Sequence, residues 1–165
     1  MTVTAVQKDP ANLTMTLTAE FVATPARVWQ LWADPRQLER WWGPPMWPAT
    51  FTSYQLSAGG FAAYHMTGPD GTEAHGYWDI LEAEPPSHIR IRDGFAKQDG
   101  TPDDSMPRNE ARITIEPIDA VSTRMIIRSV FPNAEAMERV LAMGMEEGLT
   151  QAVGQIDAIL TEVPV

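Results

Sequence analysis

Residues 13–21 alternate strictly: Leu13, Met15, Leu17, Ala19 and Phe21 are apolar, and Thr14, Thr16, Thr18 and Glu20 stand between them. Period two marks a strand with one buried and one wet face. Ahead of it, residues 1–12 show no period and are punctuated by Asp9-Pro10, which predicts a flexible N-terminal tail. After it the period changes. Thr24-Pro25 and Asp34-Pro35 each place a capping side chain before a proline at the first helical position, where the missing N–H costs nothing. Val28, Leu31 and Trp32, then Leu38, Trp41 and Trp42, run at helical spacing behind those caps, so two short helices in tandem are expected, ended by Gly43-Pro44-Pro45.

The middle of the chain returns to strands, at 49–55, 60–66, 73–83, 88–95, 109–117 and 122–130, joined by the turn residues Pro69-Asp70-Gly71, Glu84-Pro85-Pro86-Ser87 and Ile118-Asp119-Ala120. Short connections between successive strands predict an antiparallel meander. The segment 96–108 is rich in Asp, Gly and Pro; it reads as a mobile lid or a disordered excursion. Asn133 caps a final helix expected over 134–162, with Met137, Leu141, Met145, Leu149, Ala152, Ile156 and Leu160 on one face. Gly144, Gly148 and Gly154 lie inside it, which implies close approach to the sheet or a kink near Gly144.

The prediction is an α+β fold. A curved antiparallel sheet of about seven strands carries two short N-terminal helices and one long C-terminal helix packed across it, in a single domain over 13–162. The chain is 165 residues long, 44% hydrophobic, with 22 acidic against 12 basic side chains and a formal net charge of −10. A field of that sign repels phosphate backbones and anionic lipid, so nucleic acid is excluded as a partner. No apolar run approaches the ~20 residues that span a bilayer, so no membrane insertion is expected. The N-terminal residues lack the apolar core of a signal peptide, and a cytoplasmic protein is the simplest expectation. Cysteine is absent, which removes disulfides, thiolate nucleophiles and cysteine metal ligands together.

The order strand, two helices, six strands, long helix is carried by Ala23-Thr24-Pro25 with Val28-Trp29, Asp34-Pro35 with Leu38, Trp41-Trp42-Gly43-Pro44, and Gly59-Gly60 followed by Tyr64 and Met66. Gly68-Pro69-Asp70-Gly71, Glu84-Pro85-Pro86, Ser122-Thr123-Arg124-Met125 and the stretch 143–149 continue it. In this order and spacing the chain resembles the SRPBCC superfamily, also called START-like or Bet-v-type helix-grip proteins. Within it the chain looks most like the family named for the activator of heat-shock-protein-90 ATPase homologues. Members often carry Gly-Trp where Gly148-Leu149 stands here. The resemblance implies a helix-grip fold and a cavity between sheet and helix, not one function. Members include co-chaperones, lipid and hormone carriers and polyketide cyclases. The co-chaperone role generally sits in larger proteins with a second domain, so that activity is not carried over.

No phosphate loop, dinucleotide fingerprint or nucleophile elbow occurs, and no cofactor is expected. A metal site would need His65, His75 and His88 to converge. With a two- or four-residue turn at 68–71, His65 and His75 fall on opposite faces of the hairpin, and only an odd-length turn would unite them, so no metal is expected. Under the even register Tyr64, Met66, His75, Tyr77 and Asp79 share the face toward the long helix, with Trp78 and Ile80 on the other. Trp42 is placed at the cavity mouth, and Ile89, Ile91, Met125, Ile127, Met145 and Leu149 complete the wall. Arg90 and Arg92, with His88, and Arg112, Arg124 and Arg128 are expected on a solvated outer face, paired to carboxylates. The leading functional reading is a binding module, monomer or homodimer, that encloses a small hydrophobic or aromatic molecule. The alternatives are a cyclase or dehydratase using Asp79 or His75 as acid or base with Tyr64 or Tyr77 as hydrogen-bond donor, and a protein-interaction domain.

Overall fold

The computed structural model describes residues 3–162. Eight strands form one antiparallel sheet: β1 (Val3–Asp9), β2 (Thr14–Phe21), β3 (Ala49–Tyr54), β4 (Phe61–Thr67), β5 (Glu73–Glu84), β6 (His88–Ala96), β7 (Asn109–Pro117) and β8 (Thr123–Val130). Their spatial order is β1-β2-β8-β7-β6-β5-β4-β3. β3 to β8 form the expected meander, and β2 closes it by pairing with β8, from Thr14 opposite Val130 to Phe21 opposite Thr123. The α+β helix-grip architecture is present, with eight strands rather than seven.

The extra strand corrects the flexible tail expected over 1–12; Met1 and Thr2 lie outside the described residues. Val3–Asp9 pairs along β2, but a bulge between Val3 and Ala5 breaks the alternation that would have revealed it. Val6 reaches the interior from this edge, and the Lys8 ammonium meets Glu146 at 2.7 Å.

Both short helices form where their caps predict, α1 over Pro25–Ala33 and α2 over Pro35–Leu38. The Thr24 hydroxyl accepts from Arg27 N at 3.2 Å and the Asp34 carboxylate from Arg36 N at 3.0 Å. Trp32 and Trp41 are buried between these helices and the sheet, with ring centroids 4.8 Å apart edge to face. The indole of Trp41 donates to Leu31 O at 3.0 Å, and that of Trp32 to the Met125 sulfur at 3.3 Å. Ring contacts continue through Trp42, Phe51, Tyr54 and Trp78, so one end of the interior is a solid aromatic block.

The single C-terminal helix is replaced by three segments, α3 (Ala134–Ala142), α4 (Met145–Val153) and α5 (Ile156–Leu160). Asn133 caps α3 through Ala136 N at 2.7 Å. The true break is Gly144, whose φ of 89° lies in the left-handed region and ends α3. At Gly154 the backbone stays right-handed, and only the hydrogen-bond spacing tightens, with Gln155 N bonded to Ala152 O. Among the described residues no helix is long and apolar enough to cross a membrane. The 96–108 segment is tied down: Asp103 N donates to Phe95 O at 2.9 Å, and Arg139 of α3 reaches Ser105 O at 3.4 Å.

Of the three glycines in this segment, Gly144 and Gly148 are expected to respond oppositely to alanine. At Gly144 a methyl group meets nothing closer than 3.9 Å, so Gly144→Ala should lower stability by about 1 kcal/mol through the left-handed backbone alone. At Gly148 a methyl would touch only Pro44 at 3.8 Å, so Gly148→Ala should raise it by about 0.5–1 kcal/mol through helix propensity. Urea unfolding of both variants measures the two signs.

Candidate functional site

The β4–β5 turn decides which side chains face inward. Thr67 pairs with Glu73, so residues 68–72 form a five-residue connection, and Tyr64 stands opposite Gly76 while His65 stands opposite His75. The register is therefore odd. The inward face carries Tyr64 and Met66 from β4 and Ala74, Gly76 and Trp78 from β5. The face they share continues through Asp93 on β6, Asn109 and Ala111 on β7, and Ile127 and Ser129 on β8.

These strands and the helices enclose a half-open cavity of about 330 Å³. Its floor is the sheet; its roof is Val140 from α3, Met143 and Gly144 at the break, and Met145, Gly148 and Leu149 from α4. The hollow exists because inward positions at this end of the strands are small or short: Ala74, Gly76, Ala111 and Ser129. The same faces nearer α1 carry Ile80, Ile91, Ile113 and Met125, all fully packed. Gly76 is required by its neighbour, since a Cβ there would lie 2.5 Å from the Tyr64 hydroxyl oxygen.

Polar groups gather on one wall. Asp93 sits deep, with its accessible surface on the cavity. Burial pushes its carboxyl up to about 7, and the neighbouring Tyr64 hydroxyl pulls the other way. The Tyr64 hydroxyl is in turn held well above the ordinary tyrosine value, first by burial and then by the Asp93 charge. The Trp42 and Trp78 rings stand against Tyr64 at 6.2 and 6.0 Å, centroid to centroid. Although both indoles act on the phenol, neither N–H makes a hydrogen bond of good geometry, and the buried Oδ1 of Asn109 has no partner either. Buried polar atoms without partners cost stability, and a cluster of them beside a hollow is a place where an incoming polar group is stabilised.

Several expected site residues are here and others are not. Trp42, Tyr64, Met66, Ile127, Met145 and Leu149 line the cavity. His75 borders it between Ala74 and Gly76, but its ring lies on the outer face beside His65. Tyr77 and Asp79 are on that outer face too, because the odd turn reverses the assumed register. Tyr77 stacks on Phe61 at 6.1 Å and accepts a hydrogen bond from Arg108 Nε at 2.6 Å, while Asp79 pairs with Arg108 at 3.4 Å. Asp79 and His75 are thus removed as acid or base in the cavity. Trp78 and Ile80, assigned to the outside, are core. Ile89, Ile91 and Met125 are buried in the packed end rather than on the cavity wall. Arg90 and Arg124 pair with Glu82, Glu110, Glu20 and Glu116 on the outer face.

Asp93, Asn109 and Ser129 were missed. Each was visible as a polar residue at an inward parity: Ile89, Ile91, Asp93; Asn109, Ala111, Ile113; Met125, Ile127, Ser129. An interruption of that kind at the end of an apolar alternation reads as a strand end unless the cavity is known.

Asp93 has a signature in the pH dependence of stability. Folded, it keeps its proton up to about pH 7, whereas an unfolded Asp loses it near ~4. The folded state therefore binds more protons in between, and the Asp93 contribution is full at low pH and lost as pH rises through that window. Asp93→Asn stays neutral throughout. Its stability relative to the parent should increase on the order of 3 kcal/mol from acid to neutral pH in urea unfolding.

A family model described as Activator of Hsp90 ATPase homolog 1-like protein matches residues 22–161. The chain is similar to a protein from Arthrobacter aurescens solved by NMR, with 49% identity, TM-score 0.93, and 98% of this chain and 94% of that chain covered. It is similar also to protein Ms6760 from Mycobacterium smegmatis, a crystal structure, with 44% identity, TM-score 0.90 and 99% of each chain covered. The AHSA1 protein from Silicibacter pomeroyi, at 19% identity, shares the fold with TM-score 0.72 over 89% of this chain and 96% of that one. No match was found among curated proteins.

Proposed function

The chain belongs to the Activator of Hsp90 ATPase homolog 1-like family, and on that premise we propose that it binds a small, largely apolar molecule bearing one hydrogen-bonding group in the cavity between sheet and C-terminal helices. The observation that carries this reading is the pairing of an apolar hollow of about 330 Å³ with a polar wall of Asp93, Tyr64 and the buried Asn109. The volume is within the range of small-molecule sites, and a few polar groups in an apolar lining are what orient such ligands. A hydroxyl, carbonyl or amine on the ligand would meet Asp93, which donates when protonated and accepts when ionised.

A second reading rests on the same carboxyl. A buried acid that titrates near 7 beside a phenol is suited to proton transfer at neutral pH, the requirement of a cyclase or dehydratase. The two readings separate in Asp93→Asn: a carrier retains binding with altered pH dependence, whereas an enzyme retains binding and loses turnover.

The binding reading is tested with the neutral fluorescent probe N-phenyl-1-naphthylamine and with native mass spectrometry of freshly purified protein. Ala111 lies on the cavity floor, and Ala111→Phe fills the hollow from a fixed strand position. The parent should enhance probe fluorescence saturably, and Ala111→Phe should weaken binding by about tenfold or more with an unchanged circular dichroism spectrum. Equal affinity in the folded variant would place the probe elsewhere and remove the cavity from the argument.

A further inference from the structure

The odd β4–β5 turn has a second product, on the face opposite the cavity. His65 and His75 are directly cross-strand, their ring centroids 5.3 Å apart and their planes inclined by 35°. Glu73 precedes His75 by two residues, so it projects to the same face, and its Oε1 lies 2.9 Å from His75 Nε2. One ligand atom from each of the three side chains can be chosen so that all lie within 4.8 Å of one another. Tetrahedral coordination at bonds of about 2.0–2.2 Å puts ligand atoms about 3.3–3.6 Å apart, which small side-chain rotations reach from here.

The supporting backbone is fixed. The turn is closed by Gly68 N to Thr72 O at 2.8 Å and Thr72 N to the Asp70 carboxylate at 2.9 Å. Gly68 packs so tightly on the Trp47 ring that a Cβ there would lie 2.7 Å from it. Glu73 is held by Gln98, whose amide donates to Glu73 O at 2.8 Å. The His75 side chain is only 14% exposed while Glu73 remains 41% exposed, so the cluster is seated in the surface and still open to solvent.

We propose that His65, Glu73 and His75 form a binding site for a divalent transition-metal ion, zinc foremost, on the outer face of the β4–β5 hairpin. Two imidazoles and one carboxylate favour zinc, nickel or copper over magnesium or calcium, which prefer all-oxygen shells. Three protein ligands leave a coordination position for water or an exogenous group. The carboxylate offsets part of the ion's charge, and the net charge of −10 raises the local cation concentration. The site lies on the opposite side of the sheet from the cavity, so the two proposals stand or fall separately.

The test is isothermal titration of zinc chloride into the tag-free chain near neutral pH, repeated with cobalt(II) to read the coordination from its visible absorption. One ion per chain is expected. His75→Ala should weaken binding by at least about tenfold, and Glu73→Gln should weaken it and shift the cobalt spectrum. His88→Ala should bind as the parent does, because His88 pairs with Glu82 outside the cluster. Absence of saturable binding, equal affinity in a folded Glu73→Gln and His75→Ala pair, or an equal loss in His88→Ala would overturn the site.

Discussion

The register of the β4–β5 hairpin is the constraint from which the rest follows. Because side chains alternate across a strand, moving the pairing by one residue exchanges every inward and outward group of one strand relative to its partner, here β5 against β4. The five-residue connection puts Trp78 into the aromatic block, and it puts Tyr64 over the bare backbone of Gly76. The opposite parity would bury His75 and Asp79 and expose a tryptophan. That alternative is costly on both counts, since a buried, unpaired charge and an exposed indole are each worth several kcal/mol.

The interior is divided in kind. Around α1, α2 and α5 it is close-packed, and contacts among Trp32, Trp41, Trp42 and Trp78 each add about 0.5–1.5 kcal/mol beyond the area they bury. Under α3 and α4 it is open, bounded by a smaller cluster of Met15, Phe131, Met137 and Val140. The Asp93 carboxyl stands at the junction. Held neutral by burial over most of the acidic range, it is tolerated where an ionised group would not be.

Much of the frame was legible because it is written in local chemistry. Thr24-Pro25, Asp34-Pro35 and Asn133 cap helices where they were expected to, and the alternation from Leu13 to Phe21 became β2. The cavity was legible as a place, through Trp42, Tyr64, Met66, Met145 and Leu149. Its chemistry was not, because the face of Tyr77 and Asp79 depends on turn parity, and Gly68 to Thr72 admits both even and odd closures. β1 escaped because a bulge scrambles its period. The split of the terminal helix was foreshadowed by Gly144 but fixed only by its backbone angle.

The small inward residues at one end of the sheet have a further consequence. Positions 74, 111 and 129 sit on strands whose main-chain ladders are already satisfied and whose anchoring rings lie elsewhere. Their side chains are therefore interchangeable parts in a finished frame: enlarging one or altering its polarity reshapes the chamber while the scaffold stays the same. Cavity shape and foldability occupy different halves of one sheet, so the hollow can be recast without the architecture being rebuilt.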